Sequence, residues 1–411
     1  MKANIRILKN FIKDLLSYSL TGNRTYHIWM GSLSFFMIMG AFLYMQQLDS
    51  GLAVTGMNDH VSWGLYISNF TFLVGLAAAA VMLVIPAYVF SDIDLYKVVL
   101  IGEGVAVGAL LMCLSFVTVD IGGPGRFWHL IPGIGRLNFP QSLLAWDIIV
   151  LNGYLALNLL IPFYILFTRY KGKQPNKKLY VPFIFLSIFW AVALHMVTAF
   201  LYSGLSARPF WNNALLGPRF LASAFAGGPA FILVLLGVTR KFSDFKVDEK
   251  ILDKIAVIVT IAAQINLLML GSEIFKEFYN TTHHSISAVY LFFGIGSKNA
   301  LVPWIWTSVG INILATLALT FHKFRNIELI RYSACILLFV AIWIEKGMGL
   351  VVPGFIPSPL GAIVEYHPTF IEIGITIGIW AFGLFVITTL VRLGFAVEQN
   401  YIKYNYNEIK E

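Results

Sequence analysis

The chain is short of three things that most redox or soluble proteins carry: cysteine (2), histidine (8) and charge (12% of 411 residues). An iron–sulfur cluster normally takes four Cys ligands, so the chain holds none of its own. Cys113 and Cys335 both fall in apolar runs, where they read as small core residues rather than as a disulfide. A membrane b-type haem needs two histidines facing each other across a bundle. Only His195 lies deep in an apolar run; His27 and His322 sit at run ends, and His60, His129, His283, His284 and His367 lie between runs. No haem is therefore expected. The His283-His284 pair has no acid or cysteine close by in sequence to complete a metal site, so no metal is expected either. A soluble domain is roughly 25% charged. At 58% hydrophobic and a mean hydropathy of +0.77, this chain is not one. Soluble domains, low-complexity tracts, linkers and internal repeats are likewise missing. The basic N-terminus leads into no short apolar stretch with a small-residue cleavage site, so it does not read as a signal peptide.

What the chain has in abundance is long apolar runs. About 20 mostly apolar residues cross a ~30 Å hydrocarbon core, and ten runs qualify: 28–48, 64–90, 97–119, 143–168, 180–203, 218–239, 252–279, 300–321, 327–348 and 368–393. The sixth is the weakest, interrupted by Gly227, Gly228 and Pro229. The expected fold is an all-α integral membrane protein of about ten transmembrane helices. Lys and Arg fall in every second connection: Lys2, Arg6, Lys9, Lys13 and Arg24, then Lys97, then Arg169 to Lys178, Arg240 to Lys250, Lys323 and Arg325, and last Arg392, Lys403 and Lys410. The intervening connections carry only Arg126, Arg136, Arg208 and Lys298. Short Lys- and Arg-rich loops stay cytoplasmic, which places both ends inside a cytoplasmic membrane. The same bias explains the +8 net charge without nucleic acid, with some attraction to anionic lipid. Residues 1–26 form an N-terminal segment in which Ile5, Leu8, Ile12, Leu15 and Leu16 recur at helical spacing. This suggests a helix on the inner membrane surface, the alternative being a frayed basic tail. Residues 27–393 form the membrane domain and 394–411 a cytoplasmic tail.

The connections after the third and ninth runs are rich in Gly, Pro and apolar residues. They read as ordered segments packed over helix ends or covered by a partner. Ionisable residues inside membrane runs are functional candidates, because each costs roughly 2.5–3.5 kcal/mol at the bilayer centre on insertion scales. Here they are Glu103, Asp147, Glu273, Lys276, Glu345, Lys346 and Glu372. Snorkelling to the outer interface is the alternative for Lys276 and Lys346. Quinone redox chemistry moves two electrons and two protons at an apolar ring with two carbonyl oxygens. A site for it needs an aromatic slot, a donor to each oxygen and a titratable group. Trp63, Tyr66, Phe127, Trp128 and Trp146 supply walls; His129 and Asp147 supply proton exchange, beside Asp120 and Arg126. An interfacial aromatic belt with a structural Asp–Arg pair is the plainer reading of the same residues. Glu103, His195, Glu273, Glu345 and Glu372 are candidates for a proton route.

At these residues the sequence resembles the NrfD family, the quinone-interacting membrane subunits of polysulfide reductase and related complexes. The local matches are Trp63-Gly-Leu-Tyr66, Asp120-x-Gly-x-Pro-x-Arg126-Phe-Trp-His129, Asn138 to Asp147, and the stretch Trp343 to Pro359. With ten spans it looks like the DsrP/HmcC branch, found in the DsrMKJOP complex of dissimilatory sulfur metabolism. The family loop usually reads Asp-x-Gly-Arg-Pro; here Gly123 stands in place of that Arg. The resemblance implies two four-helix bundles plus two further helices, and a menaquinone or ubiquinone site in the first bundle near the outer face. It also implies an extracytoplasmic ferredoxin-like iron–sulfur subunit on the outer loops, other membrane and cytoplasmic subunits, and no redox cofactor but quinone. A secondary transporter is the rival expectation, since it too buries acids among Gly- and Pro-broken helices; a passive anchor without chemistry is a third.

Overall fold

The computed structural model describes residues 2–131, 133–242, 247–279 and 283–404. Lys246, Lys410 and the end of the expected tail, 405–411, lie outside them. Among the described residues the protein is all-helical, with ten helices long and apolar enough to cross a membrane. Spans 1 to 5 are Arg24–Val54, Leu65–Val89, Val99–Asp120, Leu143–Tyr170 and Lys177–Ser203. Spans 6 to 10 are Leu216–Phe242, Glu249–Tyr279, Val302–Thr320, Glu328–Phe355 and Phe370–Glu398. This is a multi-pass integral membrane protein.

Helix starts follow side chains that replace the missing backbone acceptors of a first turn. Asn23 accepts from Tyr26 N, Ser142 from Ala145 N and Asn176 from Lys178 N. Span 10 opens with a full capping box, Thr369 and Glu372 each bonding the other's backbone. The sixth run, expected to be the weakest, is one continuous helix with Pro229 inside it. The interruption falls in span 2 instead. There, Leu65–Ala77 passes through a tight 3-10 turn at Ala78–Ala80, returns to α winding at Val81–Val84 and widens to a π turn at Ile85–Val89 around Pro86. Gly228 explains why span 6 tolerates its glycines: a Cβ there would meet Ala79 Cβ at 2.6 Å. The glycine lets spans 6 and 2 approach backbone to backbone.

The main packing pairs are spans 1 and 10, 2 and 3, 3 and 10, and 4 and 5. Around the other side, span 6 packs on span 7, span 7 on 8, span 8 on 9 and span 9 back on 6. Spans 2 and 5 each pack on span 6, joining the two sides. The polar ties cluster at the Lys- and Arg-rich end. Lys254 reaches Asp92 at 2.7 Å and Asp94 at 3.0 Å, Arg331 and Arg240 share Glu249, and Arg325 meets Asp253. Arg169 pairs with Glu398 across spans 4 and 10. The N-terminal helix Lys2–Leu20 packs here too: Phe11 is buried against Phe163, Phe167 and Tyr170. Its Asp14 accepts from Tyr170 Oη at 2.6 Å. Ile12, Leu16 and Leu20 remain exposed. The expected tail is partly packed as well, since Ile402 is buried and Tyr404 N donates to Tyr170 O.

The opposite end holds the two Gly- and Pro-rich connections, and they differ. The one after span 9 is packed at both ends, with Ile356 and Tyr366 buried, and exposed at Leu360. The one after span 3 leaves Phe127, Trp128, Ile131, Ile134 and Phe139 exposed.

Spans 1 and 10 touch through glycine, where a Cβ on Gly40 would lie 2.7 Å from Gly378 Cα. Gly40→Leu should therefore destabilise the bundle by about 1–3 kcal/mol and lower Tm in detergent. Gly31→Leu, on the same helix with nothing within 4 Å, should leave Tm unchanged.

Candidate functional site

At the end opposite the basic connections, three loops frame an open cleft of about 420 Å³. Its walls are Ser62 and Trp63 at the entry to span 2, Gly204 to Arg208 and Trp211 after span 5, and Phe355 at the end of span 9. Such a volume falls in the ~300–1,000 Å³ range of small-molecule pockets. Trp63 stacks on Trp211 with ring centres 5.7 Å apart, and Phe355 stands edge-on to both. Trp211 is fixed by its indole N–H, which donates to Leu350 O at 2.9 Å. Arg208 lies over the Phe355 ring and donates to Phe355 O at 3.1 Å and Pro357 O at 3.4 Å. Burial lowers its pKa from the ordinary guanidinium value, but an arginine keeps its charge at any working pH.

Beneath the aromatic walls the chain turns polar. Tyr202 stands edge-on to Trp63 and Trp211, and its hydroxyl shares a hydrogen bond with Thr71 of span 2. One turn back on the same face of span 5, Thr198 donates to Asp147 Oδ1 at 2.7 Å. Asp147 is 1% exposed and forms no ion pair among the described residues. A buried carboxyl with one hydroxyl partner can hold a proton, and Tyr202 lies between it and the cleft.

A second polar centre sits among spans 6 to 9 at the same end. Arg219 contacts Glu273 and donates to Glu345 Oε1 at 2.7 Å. Glu345 Oε2 also accepts from Asn312 Nδ2 at 3.2 Å. Lys346 lies 3.6 Å above the Phe220 ring centre. These groups line a small cavity of about 20 Å³ beneath the short helix Ile286–Phe293.

The model of a polysulphide reductase family, NrfD, matches residues 53–355, which takes in spans 2 to 9 whole and both polar centres. The chain belongs to the NrfD family. Among curated proteins it is 24% identical over 400 residues to a putative dimethyl sulfoxide reductase membrane subunit of Halobacterium salinarum, covering 89% of this chain and 90% of that one. It is 24% identical over 412 residues to a selenate reductase subunit of Mesobacillus selenatarsenatis, covering 88% and 92%. An Hdr-like menaquinol oxidoreductase integral membrane subunit of Archaeoglobus fulgidus is 22% identical over 372 residues, covering 86% and 89%.

Within this NrfD chain the expected site residues do not form one group. Trp63 lines the cleft. Tyr66 is buried on another side, donating to Gln47 Oε1 of span 1 at 2.6 Å, while Gln47 Nε2 donates to Val119 O at 2.7 Å. His129 is exposed and stacks on Trp128 with ring centres 3.7 Å apart; no hydrogen bond or ion pair among the described residues joins it to Asp147. Arg126 is exposed; among the described residues no ion pair ties it to Asp120, and the buried Asp120 Oδ1 has no hydrogen-bond partner. Trp146 is exposed and donates to Pro140 O at 2.9 Å.

The expected proton-route residues also separate. Glu273 and Glu345 meet through Arg219. Glu103 is buried towards the basic end, and its Oε2 has no hydrogen-bond partner among the described residues. His195 is buried with Nδ1 against Ala191 O at 2.8 Å, and its Nε2 has no partner among the described residues. Glu372 accepts from Gly56 N at 2.7 Å, Tyr366 Oη at 2.5 Å and Thr369 N at 2.9 Å. All of these bonds hold the start of span 10 in place. Burial, and then the Glu372 carboxylate, push the Tyr366 phenol well above its ordinary pKa, so it stays a donor. Of the two lysines, Lys276 is half exposed and pairs with Glu277 at 3.0 Å, as a snorkelling side chain would. Lys346 is 4% exposed and does not snorkel.

Sequence reasoning passed over Arg219, Tyr202, Trp211 and Arg208. Arg219 carries the signal it applied elsewhere, an ionisable residue inside a span. Removing it leaves two buried carboxylates without their cation. Arg219→Met should destabilise by about 3–5 kcal/mol, seen as a lower Tm; Arg219→Met combined with Glu273→Gln and Glu345→Gln should recover most of the loss.

Proposed function

We propose that this NrfD chain is the quinone-reactive membrane subunit of a multi-subunit respiratory complex in the cytoplasmic membrane. It would exchange electrons between a membrane quinone, menaquinone by preference, and an extracytoplasmic iron–sulfur subunit. The observation that carries the reading is the aromatic cleft with Tyr202 and the buried Asp147 directly beneath it. The names of the relatives support it at the level of redox complexes, one of them a menaquinol oxidoreductase. The ten spans and the stretch Trp343 to Pro359 support the DsrP/HmcC branch, and with it a place in dissimilatory sulfur metabolism. The alternating Lys and Arg distribution supports cytoplasmic ends and, with them, an outward-facing cleft. The packing pairs support two four-helix units, spans 2–5 and 6–9, with spans 1 and 10 laid against the first.

The cleft residues fit the head of a quinone: two indoles and a phenyl ring form apolar walls, and a fixed arginine lies at the rim. A bound quinone supplies two-electron, two-proton redox chemistry there. The chain's own task is to hold the ring between Trp63, Trp211 and Phe355 and to manage protons. Asp147 holds a proton at its carboxyl, oriented by Thr198. Tyr202, bonded to Thr71, relays between that carboxyl and the cleft. His129 and Arg126, on the exposed loop at the same end, meet water and the docked partner; His129 exchanges protons with the aqueous phase. The exposed Phe127, Trp128 and Ile131 form the surface on which that partner sits.

Single-turnover quinol oxidation by the assembled complex tests the assignment. Asp147→Asn should slow the proton-coupled step about 100-fold or more, in the ~10²–10⁴ range of positioned acid–base groups. Trp63→Ala should raise the quinol concentration needed for half-maximal rate. His129→Ala should have the smallest effect of the three. Wild-type behaviour in both Asp147→Asn and Trp63→Ala would remove the cleft as the site.

A further inference from the structure

The proton handling just described leaves the second polar centre unused. It holds four ionisable groups within spans 6 to 9. Arg219 is shared between Glu273 and Glu345, and Lys346 stands on the Phe220 face with no carboxylate in ion-pair reach among the described residues. The other titratable groups facing it are Glu277, one turn beyond Glu273 on span 7, and His195 of span 5, which is in electrostatic reach of Lys346. The cavity they line, about 20 Å³, has room for one water. Glu277 leads outward: it is buried, pairs with Lys276 at 3.0 Å, and Lys276 reaches solvent.

We propose that Lys346 is a proton-exchange site, connected to the outer aqueous phase through Glu277 and distinct from the quinone cleft. The chemistry of the four groups singles it out. An arginine does not deprotonate. Each of the two inner carboxylates would lose a charge-assisted bond to Arg219 on taking up a proton. Lys346 alone gives up a proton at the cost of only a ring contact, and a buried lysine is the side chain suited to that. In the step, the Nζ–H bond breaks and an O–H bond forms on the cavity water or the Glu277 carboxylate, from which the proton passes to bulk water. With Lys346 protonated, two cations face two carboxylates and the centre is neutral. After release, Arg219 alone faces both, and the negative charge left behind draws the next proton. Coupling this exchange to turnover makes the second helix unit a part of energy conservation, a step that rests on the quinone reading; the exchange itself does not.

The test uses the whole complex and two variants. Lys346→Arg keeps the charge and cannot release it; Lys346→Met removes it. In liposomes, Lys346→Arg should oxidise quinol within about twofold of the wild-type rate. It should release fewer protons to the outer side per electron, falling to the count from quinol chemistry alone. Without any quinol, infrared difference spectra of the complex taken across a pH titration should show a carboxylate band change as Glu273 and Glu345 sense Lys346. That change should vanish in Lys346→Arg. An unaltered proton count in Lys346→Arg overturns the coupling. An infrared change that persists in Lys346→Arg, or one absent from the wild type, overturns the exchange site itself, even if Lys346→Met fails to assemble. If the wild type moves no electrons from quinol, the function proposed above falls while the infrared result still decides the exchange site.

Discussion

In a hydrocarbon layer a polar group has only the chain itself to bond to, and this constraint organises the protein. Asn69 of span 2 shows it most simply. Its carbonyl oxygen accepts from the indoles of Trp343 and Trp380 at 3.0 and 2.9 Å, and its amide donates to Leu65 O at 2.8 Å. One side chain thus ties spans 2, 9 and 10 at a depth where water cannot substitute. Glu372 does the same for the entry to span 10, and Arg219 for spans 6, 7 and 9. An unpaired polar group in such surroundings costs far more than a hydrogen bond gains in water. Buried polar side chains are therefore mostly bonded; Glu103, Asp120, His195 and Asn266 each keep a buried polar atom that has no hydrogen-bond partner among the described residues.

The two ends of the bundle use charge differently. At the basic end most ion pairs are part-exposed, and the N-terminal helix packs on span 4 through Phe11 and Asp14. At the other end Arg219, Glu273, Glu345 and Lys346 are buried, while Lys276 and Lys298 reach solvent. Surface pairs contribute little each, whereas removing one partner of a buried group is costly.

Much of this was readable in the residues. Span number follows from run length, because only a helix satisfies its own backbone across ~30 Å, and each of the ten expected runs lies on a helix. That Asp147, Glu273 and Glu345 sit buried inside spans was legible from their places in apolar runs. What was not legible was partnership. Trp63 and Tyr66 are three residues apart, yet Trp63 lies ahead of the helix that starts at Leu65 and turns to the cleft, while Tyr66 lies inside it and turns to Gln47; their neighbours come from spans 1, 5 and 9. Glu372, expected as a proton-route residue, accepts from three donors: Gly56 N of the loop after span 1, and Tyr366 Oη and Thr369 N at the approach to span 10. Arg219 stood at a run boundary, where an arginine usually reads as an interfacial anchor.

The winding of span 2 carries one more consequence. A 3-10 turn advances about 120° per residue and an α turn about 100°, while a π turn advances less. The tight step at Ala78–Ala80 and the wide one at Ile85–Val89 therefore reset the helical phase twice within one membrane crossing. A wheel drawn through Leu65 to Val89 at a fixed increment is therefore about 60° out between Ala80 and Ile85, and the wide turn takes most of that back. The wide turn also holds slack. Losing one residue there lets it relax to α winding, with the rest of the helix kept in step, whereas the same loss near Asn69 would rotate the indole acceptor out of reach of both tryptophans.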